Sequence, residues 1–190
     1  MDNPLILLER SKKTVFTTKE LAIFWGEQNI QTLKSKINYY VKRGKIINLR
    51  KGLYAKNEHY NQHELAVSIF VPSYISFETI LQKNGINFQY YETIFIASIR
   101  SATTTIHNQL FQFRKLKKDV LYNTNGLVHK ETYTEASTER AVLDLLYLNK
   151  LEHLDNPRGV NWNKCEELAP LYNNQQLIKR LKILRKQFAE

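Results

Sequence analysis

The residues best suited to chemistry lie in a helix-like run between Asn29 and Gly44. Gln31, Ser35, Asn38, Tyr39 and Lys42, flanked by Thr32 and Lys34, share one side of it. Leu33, Ile37, Tyr40 and Val41 share the other, at the three- and four-residue spacing of an amphipathic helix. Amides, hydroxyls and ammonium groups gathered on one helical face are the donors and acceptors that read base edges and hold phosphates. Arg50 and Lys51 follow in KIINLRKGLYA, at the tip of a hairpin in which Lys51-Gly52 turns between strands Ile46-Ile47 and Leu53-Tyr54. The chemistry these groups offer is polyanion binding.

Bond-making chemistry finds little support. A nucleotidyltransferase needs a Gly-Ser turn ahead of metal-binding carboxylates, and none of the 6 glycines is followed by serine. Gly44-Lys45 lacks the preceding glycine of a phosphate-binding loop. No acidic residue has lysine two places on, as a restriction-type nuclease strand would. His59 and His63 are spaced to share a metal on a helix, without a cysteine or clear carboxylate as third ligand. No G-x-S-x-G elbow is present. Cys165 is the single cysteine and sits in a helical pattern, which suits an apolar filler better than a nucleophile. The expectation is no catalytic residue, no metal and no cofactor. Glu78 and Asp144 are the two acids whose convergence in a cleft would revive a nuclease.

The elements that must position these groups can be read from caps and periodicity. A first helix fits Asn3 to Lys12, and Val15-Phe16 is a short extended piece. Thr17 and Glu20 form a capping box ahead of Leu21, Ala22 and Phe24, and that second helix ends near Trp25-Gly26. Asn29 caps the third helix, Ile30 to Arg43, and Gly44 closes it. Helix, short strand, helix, turn, helix and basic hairpin is the order of a winged helix. In that architecture the third helix enters a major groove and the hairpin touches backbone or minor groove.

Charge is distributed to match. The 190 residues carry 28 Lys and Arg against 18 Asp and Glu, a formal +10. Residues 1–58 hold 12 basic and 5 acidic side chains, residues 59–190 hold 16 and 13. The excess points to nucleic acid first and an anionic membrane surface second. A boundary falls near Ala55 to His63, giving a DNA-binding domain over 1–58 and an α+β domain over 59–190. MDNPLILLERSKK lacks the basic start and apolar length of a signal peptide, and no run approaches a membrane span, so the expected location is the cytosol.

The second part predicts helices over Glu64–Val71 and, capped by Ser76, over Phe77–Asn84. Strands fit Ile94–Ile99 and the alternating Gln109–Leu116. Val120–Asn123 and Leu127–Tyr133 flank Asn125-Gly126, the signature of a type I′ hairpin. Ser137 caps a helix from Thr138 to about Asn149, and two more fit Trp162–Tyr172 and Gln175–Phe188. The last carries Lys179, Arg180, Lys182, Arg185 and Lys186. Tyr74, Ile75 and Phe77 read as core anchors, and Glu139, Arg140 and Asp144 as a helix start without a tight triad. The fold class expected is α+β: a winged helix-turn-helix, then a domain of antiparallel strands with C-terminal helices.

GLYA (Gly52 to Ala55), PSYISFETIL (Pro72 to Leu81) followed by NGI (Asn84 to Ile86), and ASTERAVLDLLYL (Ala136 to Leu148) occur in that order. Together they resemble the AbiEi antitoxin family of type IV abortive-infection toxin–antitoxin systems. The resemblance implies a repressor that binds double-stranded DNA at an inverted-repeat operator of its own operon. It further implies a C-terminal domain that counters a nucleotidyltransferase-like toxin without a stable complex. The basic cluster Arg114, Lys115, Lys117 and Lys118 would suit either an antitoxin surface or nucleic acid. The alternative function is a nucleic-acid-processing enzyme, or a subunit of one, targeted by the winged helix; a third is a winged helix used for protein contacts. Monomer or dimer on DNA stays open.

Overall fold

The computed structural model describes residues 4–148 and 153–188. The chain is α+β and divides into two compact units, Met1–Ile69 and Phe70–Glu190. The expected first-helix start at Asn3 and the expected helix end at Asn149 lie outside the described residues.

The first unit runs α1 (Pro4–Arg10), β1 (Val15–Thr17), α2 (Thr18–Trp25), α3 (Ile30–Lys42), β2 (Ile47–Arg50), β3 (Leu53–Ala55) and α4 (Gln62–Ile69). Its strands form an antiparallel sheet in the order β1-β3-β2. Leu8, Phe16, Leu21, Leu33, Ile37 and Ile46 make its core, so each of the first three helices contributes at least one buried apolar side chain. The helix ends follow the caps. The Thr17 hydroxyl accepts from the Glu20 N–H at 3.2 Å, and the Glu20 carboxylate accepts from the Thr17 N–H at 2.8 Å. Asn29 Oδ1 accepts from the N–H groups of Gln31 and Thr32. At the far end of α3, the Gly44 N–H donates to Val41 and the Lys45 N–H to Tyr40. This paired closure needs φ of +64° at Gly44, where a side chain would be strained.

The unit extends further than residue 58. Glu64, on α4, is fully buried, and its Oε2 accepts from the Thr14 backbone N–H at 2.9 Å and the Thr14 hydroxyl at 2.7 Å. Its neighbours Leu65 and Ala66 are buried as well. The polar stretch before α4 is therefore an internal loop of the first unit, and the division falls after Ile69.

The second unit runs β4 (Ser73–Ile75), α5 (Glu78–Lys83), β5 (Ile94–Ser98), β6 (Ala102–Ile106), β7 (Gln109–Lys115), α6 (Lys118–Tyr122), β8 (Leu127–His129), β9 (Thr134–Ala136), α7 (Thr138–Tyr147), α8 (Trp162–Leu168) and α9 (Gln175–Gln187). One six-stranded sheet, ordered β6-β7-β5-β4-β9-β8, carries it. The sheet is mixed rather than antiparallel: β4 pairs β9 in parallel, and β5 pairs β7 in parallel.

Three local expectations are corrected. Residues 120–122 belong to α6, not to a strand, and β8 pairs instead with β9 through Leu127–Ala136, Val128–Glu135 and His129–Thr134. Gly126 keeps a positive φ of +78°, yet its role is packing. A Cβ there would lie 2.9 Å from Leu168 Cδ1 and 3.2 Å from Arg140 Cβ. Ser76 does not cap α5, whose N-cap position is Phe77 with no side-chain hydrogen bond. The segment Trp162–Tyr172 forms α8 and then a separate 3-10 turn over Ala169–Tyr172. Ser137 does cap α7, accepting from the Arg140 N–H at 3.2 Å.

Candidate nucleic-acid interface

α3 is pinned from beneath. Leu33 and Ile37 are each 2% exposed, and Trp25 from α2 packs its ring against Tyr40 at 5.5 Å between centroids. The opposite face is open: Gln31, Thr32, Lys34, Ser35, Asn38, Tyr39 and Lys42 are all exposed. Gln31, Ser35, Asn38 and Lys42 fall on one stripe about 16 Å long at 1.5 Å per residue, along a helix whose diameter of about 10–12 Å is what a major groove admits. Carboxamides at 31 and 38 each offer a donor beside an acceptor, the pair that matches an adenine edge. Lysines at 34 and 42 add positive charge to the same exposed face.

Arg43 and Lys45 are exposed at the closed end of α3 and were not singled out from the sequence. The Arg43 guanidinium lies 5.4 Å from the centre of the Tyr39 ring, one turn earlier. The i, i+4 spacing of an aromatic and an arginine was the available signal. Lys36 lies over the Trp25 ring at 5.3 Å instead of joining the exposed stripe.

The hairpin tip is held against α2. The Gly52 carbonyl accepts the Thr18 N–H at 3.0 Å, so the Lys51-Gly52 turn, with Arg50 beside it as the last residue of β2, is tied to the first residue of α2. Both basic side chains are exposed. A bulge between Asn48 and Arg50 turns Leu49 into the core.

The cluster expected at residues 114–118 separates. Lys115, Lys117 and Lys118 are exposed, but Arg114 is 8% exposed and takes no part in a basic surface. Its guanidinium donates to both carboxylate oxygens of Glu78, at 2.6 and 2.8 Å. It also covers the rings of Phe77 and Phe95 at 4.9 and 4.4 Å. Glu78 is thereby committed to a structural ion pair.

Asp144 has a different set of partners. Its carboxylate accepts from Ser76 Oγ at 2.6 Å, Tyr172 Oη at 2.6 Å and Tyr74 Oη at 3.1 Å. Arg140 Nε stands 3.5 Å away, with both side chains fully buried. Glu139 is not part of this group; it accepts from the Ser137 hydroxyl at 2.9 Å. Burial pushes the Asp144 carboxyl above its ordinary value, while Arg140 and the three hydroxyls pull it back down. Burial likewise raises both tyrosines well above theirs. A carboxylate with every approach filled by protein groups is a packing element, and Glu78 and Asp144 share no partner among the described residues.

His59 is exposed outside any helix, and His63 lies in the first turn of α4. Among the described residues, no group of three or more His, Cys, Asp and Glu could hold a metal ion. The Cys165 thiol is buried, and desolvation followed by the nearby Glu139 charge pushes it up to about 12. No described helix is long and apolar enough to cross a membrane. No protein-family model matches the sequence, and no curated protein matches it.

Proposed function

We propose that the first unit is a winged-helix module that binds double-stranded DNA through α3 and the β2–β3 hairpin. In this reading the chain represses its own operon at an inverted repeat, and the second unit counters a nucleotidyltransferase-like toxin without holding it in a stable complex. The observation that carries the DNA reading is the exposed stripe of α3. Amide, hydroxyl and ammonium groups line the face opposite buried Leu33 and Ile37, with Arg50 and Lys51 at a tethered hairpin end. The order of elements, and the concentration of positive charge in residues 1–58, support the same assignment. The antitoxin half rests on the resemblance of GLYA, PSYISFETIL and ASTERAVLDLLYL to the AbiEi family. No catalysis is assigned to either unit.

Titration of fluorescent DNA from the chain's own upstream region tests the first half. Binding should be tighter than to shuffled DNA of equal length and should weaken steeply with salt. Equal affinity for both at every salt concentration would remove the repressor reading. Co-expression with the product of an adjacent nucleotidyltransferase gene tests the second half, with growth rescue as the expected result. Incubation with DNA or RNA and magnesium or manganese should give no cleavage; cleavage lost in Glu78→Ala would restore the enzyme alternative.

A further inference from the structure

We propose that β6 is a self-association edge, along which two copies of this chain pair antiparallel to continue the six-stranded sheet. β6 is the outermost strand on its side, bonded only to β7 in the sheet. His107 and Asn108, with φ of +46° and +65°, make the two-residue turn that joins them, and Ile106 faces Gln109 across it. In such a hairpin the closing pair is hydrogen-bonded, so Ile106, Thr104 and Ala102 direct their backbone groups to β7. The N–H and C=O groups of Thr103 and Thr105 then point away from the sheet, and no described element pairs with that side.

Sheet edges in monomers are normally blunted by lysine, proline, a bulge or a very short strand. β6 reads ATTTI over five residues, with regular register against β7 throughout and neither charge nor proline. The opposite edge, β8, has only three residues, the very short form of a guarded edge. Threonine is also among the residues that fit a pleated, half-exposed strand best.

The edge is self-complementary. A two-fold axis between the two copies of Thr104 sets Thr103 opposite Thr105 of the second copy, and the reverse. Those are the residues whose backbone groups are turned outward, so each such pair can exchange both its hydrogen bonds. The same register sets Arg100 opposite Asn108 and Ser101 opposite His107. No like charges meet, although the chain as a whole carries +10 and repels its copy elsewhere. The isologous geometry closes at two copies. This inference stands on strand geometry and does not depend on the DNA reading.

Sedimentation equilibrium of the full chain, over a micromolar to submillimolar range, tests it. The parent should reach a dimer. Thr103→Lys with Thr105→Lys, and Thr103→Glu with Thr105→Glu, place like charges face to face across the axis. Each should weaken the dimer about tenfold or more relative to Thr103→Lys with Thr105→Glu, which places opposite charges there. The doubly acidic variant also lowers the net charge, so a general easing of repulsion would strengthen its association instead. Thr105→Pro removes one outward N–H and leaves the bonds to β7 intact, and it should weaken the dimer too. Far-ultraviolet circular dichroism confirms that each variant is folded. A parent that stays monomeric throughout, or a doubly acidic variant that associates as well as the parent, would overturn the proposal.

Discussion

Arg140 and Asp144 stand one turn apart on α7 and meet at 3.5 Å with neither side chain reaching solvent. The guanidinium is further held by the carbonyls of Asn125 and Val120 and by the Tyr74 hydroxyl, at 2.8, 2.6 and 3.1 Å. Tyr74 and Tyr172 lie on either side, with ring centres 5.5 and 5.3 Å from the guanidinium. This cluster joins β4, the α6 region, α7 and the turn before α9 through one buried pair of charges.

Removing half of such a pair leaves an uncompensated charge in the core. Asp144→Ala should destabilise the second unit by about 3–5 kcal/mol, with Arg140→Ala in the same range. Replacing both by apolar residues of similar volume should recover a large part of that loss. Urea unfolding followed by tyrosine fluorescence measures each; a loss below 1 kcal/mol for both single variants would show the pair to be dispensable.

At Gly126, crowding and backbone strain act together. Gly126→Ala should cost about 1–3 kcal/mol, because its Cβ would collide with Leu168 and crowd Arg140. Gly44 has the same sign of φ but nothing within 4 Å of an added Cβ. Gly44→Ala should therefore cost only the conformational penalty, about 1 kcal/mol. Thermal unfolding of the two variants distinguishes them, and equal shifts would count against the packing role.

Acid should selectively weaken the β8–β9 corner. Burial alone would raise the Glu135 carboxyl, but Lys83 and Lys130 bond to it at 2.7 and 3.2 Å and hold it below its ordinary value. The unfolded chain therefore binds that proton more readily. The contribution is fully present above about pH 4.3, the ordinary glutamate value, and is lost as pH falls through the lower folded value. Glu135→Gln should flatten that part of the stability profile; an unchanged acid limb would contradict it.

The limits of the first unit can be checked by fragment. Residues 1–69 should unfold cooperatively on their own. Residues 1–58 lack Glu64 and Leu65 and should be about 2–4 kcal/mol less stable, or unfolded. Circular dichroism melts of the two fragments settle this, and equal melting points would mean that α4 adds nothing.

On α3, Gln31→Ala, Ser35→Ala and Asn38→Ala should erode discrimination between upstream and shuffled DNA. The loss should be about 1–3 kcal/mol for a side chain that makes a bidentate base contact. Arg50→Ala and Lys51→Ala should weaken both DNAs and reduce the salt slope by about 1 each. Anisotropy titrations at several salt concentrations read both quantities. Parent-like behaviour in all five would remove this face from the interface.

Caps and periodicity made much of the first unit legible. Thr17 with Glu20, Asn29, and Gly44 each act within a few residues, so sequence spacing contains the whole interaction. The second unit resisted the same approach because its decisive contacts are distant in sequence. Asn125-Gly126 has the backbone freedom a hairpin uses, but the glycine is required by Leu168. Ser76 has the right chemistry for a cap and is drawn instead to Asp144. Arg114 sits in a run of lysines and is buried by Glu78, Phe77 and Phe95. Strands β4 and β9 have three residues each, too few for a two-residue period to declare itself. The exposed stripe of α3 was visible from the start, because the buried residues of an amphipathic helix define its open face.

The buried thiol of Cys165 has a practical consequence. A thiol pushed up to about 12 holds almost no thiolate at neutral pH, and alkylating reagents require the thiolate. The native chain should therefore resist maleimide, while a cysteine introduced on α3 or β6 would be modified alone. Fluorophores and spin labels can thus be placed at single chosen positions without first removing the natural cysteine. Run in reverse, the slow modification of Cys165 becomes a clock for the opening of the helices that cover it, readable by mass spectrometry under native conditions.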